Sequence, residues 1–352
     1  TALNAIESVD FYPKTAENRL KPMIEGRPDW CISRQRSWGV PIAFFRNKST
    51  KEVIFDEKVL EHVASLFDTQ GADAWYSMSI EDLLPAGSGY NPNDLEKIDD
   101  ILDVWFDSGS TWNSVIKSGN YDAGEYPASL YIEGSDQHRG WFQSSLLLSA
   151  AVNEVSPYKT LSTHGFTVDE KGEKMSKSKG NVVAPDKVIK EYGSEILRLW
   201  VALSDYQSDL KISDGILKQT AEQYRKIRNT FRFLLANVDD LETYVTNDAY
   251  GELDRWILRK ASNVFASVKS SFDANDFLRG FATLNHFITN ELSGIYMDIT
   301  KDRLYCEDKN DPVRRATQSA MAHISKAMLG LVAPVLTYTA DEILEYAPAL
   351  FK

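Results

Sequence analysis

Cysteine is scarce in this sequence: Cys31 and Cys306 are the only two in 352 residues. They provide no Cys-x-x-Cys pair and no Cys/His cluster with the spacing of metal ligands, so we expect no structural zinc and no other metal site in the chain. A chain of this length with two distant cysteines does not need disulfides to fold, which favours a reducing compartment. We therefore expect a cytoplasmic protein.

Long apolar runs and a targeting sequence are missing as well. No uninterrupted apolar segment reaches the roughly 18 residues that a membrane-spanning helix needs, and the N-terminal sequence TALNAIESVD does not have the pattern of a signal peptide. These absences exclude a membrane-spanning class and predict no membrane partner. The hydrophobic fraction of 43% is nevertheless enough for one or two ordinary cores.

Positive charge is in deficit, with 39 Lys and Arg against 51 Asp and Glu and a net charge of −12. Because nucleic-acid-binding proteins are usually basic, an RNA partner would require a local basic patch. The segment Ile216–Leu235 offers one, the basic stripe, in which Lys218, Arg225, Arg228 and Arg232 recur at helical spacing beside an apolar stripe. We expect the basic stripe to contact an RNA backbone. The alternative is an ordinary amphipathic helix with a solvated basic face.

The usual glycine-rich nucleotide motifs are absent too, since the sequence contains neither G-x-x-x-x-G-K-[ST] nor G-x-G-x-x-G. In their place stands GEKMSKSKGN, Gly172–Asn181, which we call the lysine loop. Lysine ammonium groups, serine hydroxyls and free backbone amides are suitable donors to phosphate oxygens. The alternative is a solvated charged loop that holds no ligand.

Strand-like segments alternate with polar loops and helices in the middle of the chain. The strands are predicted at Leu102–Phe106, Ser129–Gly134 and Thr160–Val168, and the lysine loop follows the third of them. This alternation predicts an α/β fold with a parallel sheet, in which ligands bind beyond the carboxyl ends of the strands.

After Ser204 the apolar residues follow helical spacing, which predicts an all-α bundle. Pro312 suits the first position of one helix, and Pro334 indicates the end of that helix. The sequence TADE, Thr339–Glu342, has the pattern of a capping box and predicts the start of one more short helix.

Five stretches together resemble the class I aminoacyl-tRNA synthetases, in the order that this family uses. They are RPDWCISRQRSWGVPI (Arg27–Ile42), LDVWFDSGS (Leu102–Ser110), YIEGSDQHRGWF (Tyr131–Phe142), THGFTVD (Thr163–Asp169) and KMSKS (Lys174–Ser178). The resemblance covers nearly the whole chain. Within the branched-chain subgroup, DWCISRQRSWGVPI and DVWFDSGS are similar to the isoleucyl enzymes, and the valyl enzymes are the alternative.

The resemblance implies a partial Rossmann-like parallel sheet followed by an all-α bundle of the anticodon-binding type. Residues 1–28 would be the exit segment of an inserted editing region, residues 29–209 the second half of the catalytic domain, and residues 210–352 an incomplete tRNA-binding domain. The family's first signature, His-x-Gly-His, is not found among the five histidines. The resemblance therefore implies a missing N-terminal half, without which we expect the chain to be inactive. A non-catalytic RNA-binding module is the other interpretation.

The implied activity is that of an isoleucine–tRNA ligase. The isoleucine carboxylate attacks the α-phosphate of ATP to give an adenylate, and the isoleucyl group then passes to tRNA(Ile). Because the carboxylate is already ionised at neutral pH, no general base is needed, and catalysis depends on positioning and on stabilising charge at the leaving phosphates. The implied ligands are isoleucine, ATP with its Mg²⁺, and tRNA(Ile).

By the resemblance, the lysine loop binds the phosphates of ATP. Lys177 would make the most direct contact and Lys174 would support it, so both would be catalytic. The remaining residues of the KMSKS sequence, Met175, Ser176 and Ser178, would complete this part of the ATP site.

The sequence EGSDQ, Glu133–Gln137, is the implied adenylate shelf. Glu133 would contact the aminoacyl-adenylate, and Gly134, Asp136 and Gln137 would surround the ribose. The alternative for the two carboxylates is capping of the helix that follows, because negative charge is favourable at a helix N-terminus.

Trp105 and Trp141 are implied to form walls of the isoleucine pocket. The alternative is that both are ordinary core residues. His138 and His164 are interpreted as ligand-contacting or structural, because the ionised nucleophile requires no acid–base catalyst.

Overall fold

The computed structural model describes residues 1–27, 29–122 and 124–351. Its contacts divide the chain into two units, Thr1–Thr163 and His164–Lys352, and each unit is described by itself below. The first domain boundary that the sequence predicts falls on Pro28, which lies outside the described residues. The boundary between residues 209 and 210 stays a prediction.

The first unit contains most of the strands of the chain. Its helices and strands, in chain order, are α1 (Ala2–Ile6), β1 (Asp10–Tyr12), α2 (Glu17–Glu25), β2 (Ser33–Arg34), β3 (Phe45–Asn47), β4 (Val53–Ile54), α3 (Glu57–Gln70), α4 (Ala74–Ser77), α5 (Ile80–Leu83), β5 (Leu95–Lys97), β6 (Ile101–Leu102), α6 (Val104–Gly109), β7 (Tyr131–Gly134), α7 (Trp141–Asn153) and β8 (Thr160–His164).

The central sheet of this unit has the strand order β1-β8-β7. β1 and β8 pair in parallel, with Phe11 opposite Leu161. Helix α7 covers the sheet with Phe142 and Leu146, both fully buried, because apolar residues one helical turn apart face the same side. The predicted α/β fold with a parallel sheet is confirmed.

Two smaller antiparallel sheets are formed by the segment between β1 and β7 of the central sheet. β2 pairs with β6, and β3 pairs with both β4 and β5 around the buried ring of Trp75. The strand predicted at Leu102–Phe106 is wrong beyond Leu102. The chain turns into α6 there because the Asp103 carboxylate caps that helix, accepting a hydrogen bond from the Trp105 N–H at 3.2 Å.

The second unit is mostly helical. Its helices and strands are β9 (Thr167–Val168), α8 (Pro185–Tyr192), α9 (Ser194–Ala202), β10 (Leu210–Lys211), α10 (Asp214–Val238), α11 (Glu252–Asp273), α12 (Phe277–His286) continuing as a π-helix (Phe287–Met297), α13 (Lys301–Tyr305), α14 (Pro312–Val332) and α15 (Thr337–Tyr346).

The helices from α10 onward share one hydrophobic core, in which Leu234, Phe287 and Met328 are completely buried. Pro312 is the first residue of α14, as predicted, and Asp311 caps that helix by accepting hydrogen bonds from two of its amides. The α14 helix ends at Val332, two residues before Pro334. The predicted helical region after the α/β region is thus confirmed.

The capping box predicted at Thr339–Glu342 is wrong, because α15 already begins at Thr337. The Thr339 hydroxyl instead donates a hydrogen bond to the buried carboxylate of Glu195 in α9, which also accepts from the Thr339 N–H at 3.0 Å. Among the described residues, no helix is long and apolar enough to cross a membrane.

Candidate active site

The adenylate shelf begins at the carboxyl end of β7. Glu133 is exposed, and its carboxylate accepts a hydrogen bond from the Gly134 N–H at 3.0 Å. The chain then forms a 3-10 helix, Ser135–Arg139, before Gly140 leads into α7. Asp136 is exposed on this turn. Two carboxylates with solvent access therefore lie beyond the end of a strand of the parallel sheet.

Helix capping does not account for these carboxylates. The amide oxygen of Gln137 accepts a hydrogen bond from the Trp141 N–H at 3.2 Å, so Gln137 caps α7. Its amide nitrogen donates to the Asp136 carboxylate at 3.1 Å. Within the described residues, neither Glu133 nor Asp136 bonds to an amide of α7, and the capping alternative is wrong for both. Their remaining oxygen lone pairs are available to a ligand.

His138 is a structural residue of the shelf. Its ring is 1% exposed and Nδ1 lies 2.8 Å from the carbonyl oxygen of Ser135. Burial lowers the pKa of His138, so the imidazole is neutral at physiological pH. Of the two interpretations that the sequence left open for His138, the geometry supports the structural one.

Gly140 allows Trp105 to pack against the end of the shelf. A Cβ atom at position 140 would lie 2.8 Å from the Trp105 ring and 2.7 Å from the Gln137 amide oxygen, closer than atoms can approach. Trp105 is 39% exposed and lines two cavities of about 500 and 250 Å³. The sequence analysis did not single out Gly140, although a glycine between two helical turns is a detectable signal.

Asp103 holds the wall of these cavities together. Its carboxylate is buried and accepts from the Trp30 indole N–H at 3.0 Å and from the Arg34 guanidinium at 2.6 Å. These bonds link β2 to α6, because Arg34 lies on the strand and Asp103 caps the helix. Arg139 lines the smaller cavity as well. Asp103 was not among the predicted site residues, because the strand predicted at Leu102–Phe106 concealed the helix that this acid caps.

Trp141 is more firmly packed than Trp105. Its ring stacks on Tyr131 with the ring centres 4.1 Å apart, and its N–H donates to the Ser108 carbonyl oxygen at 2.9 Å. It does not line either of the cavities next to Trp105. The pocket role of Trp105 has geometric support, whereas Trp141 has the contacts of a partly buried residue packed against the core.

The lysine loop belongs to the second unit. It follows β9, which pairs in parallel with β10, and it precedes α8. Gly165 lies at its base, where a Cβ atom would collide with the backbone of Ser208 and Asp209. His164 is partly buried, and its Nδ1 lies 2.8 Å from the carbonyl oxygen of the neighbouring Gly165.

The lysines of the lysine loop differ in their contacts. Lys174 Nζ lies 4.4 Å from the ring centre of Phe166, and Lys179 forms a 3.0 Å salt bridge with Glu173. Lys177 is exposed, and no carboxylate of the described residues lies within ion-pair distance of it. Ser176 and Ser178 hydroxyls are 3.1 Å apart. Lys174 and Lys177 therefore both have no carboxylate partner among the described residues, and Lys177 has no ring contact there either.

The basic stripe on α10 is largely neutralised. Lys218 pairs with Asp214 at 2.6 Å, Arg225 pairs with Glu222, and Arg228 forms two hydrogen bonds of 2.6 and 2.7 Å with Glu342 of α15. Arg232 is exposed and has no ion pair with any described residue. The stripe exists as predicted, but three of its four cations already have carboxylate partners.

Comparison with models of known families identifies the family of the chain. The model of the family described as tRNA synthetases class I (I, L, M and V) matches residues 1–213, more than half of the chain. The chain belongs to this family. A second model, the anticodon-binding domain of tRNA ligase, matches residues 254–350. The resemblance read from the five sequence stretches is thus confirmed.

Relatives within the class I synthetases are close in sequence. The isoleucine–tRNA ligase of a Sulfurovum species is 82% identical over 351 residues, and that of a Nitratiruptor species is 69% identical over 351 residues. Each comparison covers 100% of this chain and 38% of the relative. The chain therefore spans little more than a third of the length of the relatives it matches.

Solved synthetase structures share the fold. Mycobacterium tuberculosis methionyl-tRNA synthetase bound by methionyl-adenylate has a TM-score of 0.67 at 18% identity, covering 98% of this chain and 60% of that one. A leucyl-tRNA synthetase–tRNA complex from Agrobacterium radiobacter K84 has a TM-score of 0.66 at 18% identity, covering 90% of this chain and 40% of that one. At this identity the likeness supports the fold alone.

Proposed function

We propose that the chain is part of an isoleucine–tRNA ligase and carries the portion of its active site that holds the phosphates and the adenylate. The 82% identity to a protein of that name carries the proposal. The unpaired Lys177 and the exposed carboxylates of Glu133 and Asp136 support it, since they offer complementary groups for an anionic leaving group and for ribose or amine donors.

In the proposed reaction, the ionised carboxylate of isoleucine forms a bond to the α-phosphorus of ATP, and the bond from that phosphorus to the bridging oxygen breaks. Pyrophosphate leaves with the electron pair. Lys177 stabilises the charge that develops on it, with Lys174 in support and with Met175, Ser176 and Ser178 holding the loop backbone. Mg²⁺ enters as part of the nucleotide substrate.

The shelf would then hold the adenylate. Glu133 accepts hydrogen bonds from the ammonium group of isoleucine, while Asp136, Gln137 and the backbone at Gly134 surround the ribose. Trp105, which is exposed and lines both cavities, would form a wall of the pocket for the side chain. Trp141 lines neither cavity, and its pocket role rests on the family resemblance alone. A hydroxyl of the terminal ribose of tRNA(Ile) attacks the adenylate carbonyl carbon, and AMP leaves.

Helix α10 would meet tRNA(Ile) chiefly through Arg232, because its guanidinium needs no exchange of partners to bind a phosphate. Lys218, Arg225 and Arg228 would contribute only after releasing their carboxylates. The match of residues 254–350 to an anticodon-binding domain supports a tRNA partner for this unit.

Isoleucine-dependent exchange of pyrophosphate into ATP tests the proposal. We expect exchange by the full-length protein with isoleucine, weaker exchange with valine, and none by this chain alone. Faster exchange with valine would favour the valyl alternative. A full-length protein that binds tRNA but exchanges with neither amino acid would be a non-catalytic RNA-binding module, and the proposal would then be abandoned.

A further inference from the structure

Two side chains, those of Asp169 and Asn181, are hydrogen-bonded to each other across the two ends of the lysine loop, and we call this pair the neck. Asp169 precedes the loop and Asn181 ends it, and the Asn181 amide nitrogen donates to the Asp169 carboxylate at 2.8 Å. The second Asp169 oxygen accepts from the N–H groups of Lys171 and Glu173, at 3.0 and 2.8 Å. These bonds lower the pKa of Asp169, the contact with Asn181 contributing most, so the carboxylate is ionised throughout the physiological range.

Asn181 also holds the interior of the loop. Its amide oxygen accepts from the Ser176 N–H at 2.9 Å, and its amide nitrogen lies 3.3 Å from the Lys174 carbonyl oxygen. One side chain therefore bonds both to the residue before the loop and to two backbone groups within it. These two bonds connect Asn181, at the end of the loop, to the backbone of Lys174 and Ser176.

The tip of the loop has few further bonds: Lys179 forms its exposed salt bridge with Glu173, and the Lys179 N–H donates to the Ser176 hydroxyl at 3.2 Å. Lys177, Ser178 and Lys179 are exposed, and only Met175 packs its side chain against the neighbouring core cluster. An exposed segment without a core of its own keeps a single conformation only if specific bonds offset the loss of conformational entropy. The bonds of Asn181 and Asp169 therefore contribute to fixing the position of Lys177, beside the bonds of Lys179.

We propose that Asn181 is a positioning residue, which together with Asp169 holds the lysine loop in the form that presents Lys177 to phosphate. The inference rests on the proposed function, because it assigns Asn181 a role in the same adenylate-forming step. A catalytic group that is displaced by about 1 Å can lose on the order of 10²-fold in rate, so the neck has kinetic importance without touching substrate.

Exchanging the two side chains tests this inference in the full-length protein. Asn181→Asp places two carboxylates against each other and removes the donor, so adenylate formation should fall about 10- to 100-fold while the KM for isoleucine stays constant. Combining it with Asp169→Asn restores a donor facing an acceptor and keeps the acceptors for Ser176, Lys171 and Glu173, although the bond to the Lys174 carbonyl oxygen at 3.3 Å stays lost. This double variant should recover part of the rate.

A matched control is available in the first unit, where Asn91 donates to Asp94 at 3.1 Å and accepts from the Asn93 N–H. Asn91→Asp reproduces the chemical change at a site without a proposed ligand and should leave the rate unchanged. Hydrogen exchange provides a readout separate from activity: the Ser176 and Lys179 amides should exchange faster in Asn181→Asp and return toward wild-type rates in the double variant.

Two results would overturn the inference: wild-type rate and amide exchange in Asn181→Asp, or a double variant as impaired as the single one. Failure of the proposed function looks different. In that case the full-length wild-type protein would show no isoleucine-dependent pyrophosphate exchange, whereas the amide exchange of the Asn181 variants would still report whether Asn181 and Asp169 order the loop.

Discussion

The second unit contains two cation-rich segments, the lysine loop and the basic stripe of α10, and they differ in what their positive charges already contact. In the loop, Lys177 has no carboxylate partner in the described part of the chain. On α10, three of the four stripe cations have one, and Arg228 binds Glu342 through two parallel hydrogen bonds.

This difference shows that the number of cations in a segment overstates its capacity to bind anions. A cation that gives up a carboxylate to bind phosphate gains only the difference between two interactions, whereas an unpaired cation gains the whole of one. Paired residues are also ordered by their partners, and for Arg228 the partner lies on a neighbouring helix. The loop has the electrostatics of a binding site, and α10 has mainly those of a packed helix.

The largest expected effect comes from removing Lys177, the loop lysine with neither a carboxylate partner nor a ring contact among the described residues. Lys177→Ala in the full-length protein should slow adenylate formation on the order of 10²–10³-fold, because a preorganised contact to the developing charge is lost. kcat and kcat/KM should fall together, with little change in the KM for isoleucine. Rapid kinetics that separate activation from transfer would measure this.

Lys171→Ala is the matched control, since Lys171 is an exposed lysine just before the loop and has no ion pair with any described residue. It should reduce the rate far less. Equal losses of rate in the two variants would mean that only the local electrostatic potential matters. Equal losses in the activation step and the transfer step of Lys177→Ala would support the alternative of a solvated charged loop that holds no ligand.

The next effect in size distinguishes the cations of α10. Arg232→Glu should weaken tRNA binding by roughly tenfold near physiological salt and reduce the slope of log K against log salt by about one, as expected for one lost phosphate contact. Arg225→Glu should change both less, because Arg225 is already paired with Glu222. Binding titrations at several salt concentrations would show the order, and the reverse order would contradict the comparison.

A smaller effect concerns stability. Arg228→Ala should lower the free energy of unfolding by about 0.5–1 kcal/mol, because a partly exposed ion pair between α10 and α15 is lost. Its effect on the salt slope of tRNA binding should be minor. Denaturant unfolding measures the first quantity. If Arg228→Ala leaves the free energy of unfolding unchanged and reduces the salt slope of tRNA binding by about one, Arg228 is an RNA contact and not a link between helices.

The smallest expected effect comes from releasing a paired cation. Glu222→Gln leaves Arg225 without its partner and should tighten tRNA binding by no more than about twofold, since exposed pairs within one helix contribute little. The same titrations would detect it. A tenfold gain would show that intramolecular pairing suppresses the basic stripe much more strongly than exposed ion pairs normally do.

Local patterns in the sequence were sufficient for much of this fold. The position of Pro312, the parallel strands around Leu161 and the polar loop after them all follow from spacing and from single-residue preferences. Asp103 and Thr339 show where such reasoning fails. Asp103 ends a strand by capping a helix, and Thr339 bonds to Glu195, which is 144 positions away in the sequence.

Prediction of the candidate site from the sequence fails for the same reason. The sequence identifies Lys177 and Glu133 as chemically suitable, but it contains no sign that Glu342 would neutralise Arg228 from 114 positions away. Nor does it show that Gln137, and not the neighbouring Asp136, caps α7. Partner choice between residues of similar chemistry depends on tertiary geometry, which a single sequence does not encode in its local pattern.

Gly165, at the base of the lysine loop, has a consequence for inheritance. Its α-carbon faces the backbone of Ser208 and Asp209 so closely that no side-chain atom fits, and backbone, unlike the end of a long side chain, cannot move aside without breaking the pairing of β9 and β10. Every amino-acid change that a point mutation can produce from a glycine codon adds at least a Cβ atom. We therefore expect every missense change of this codon to disturb the backbone beside β9 and β10, and only silent changes to leave it as it is.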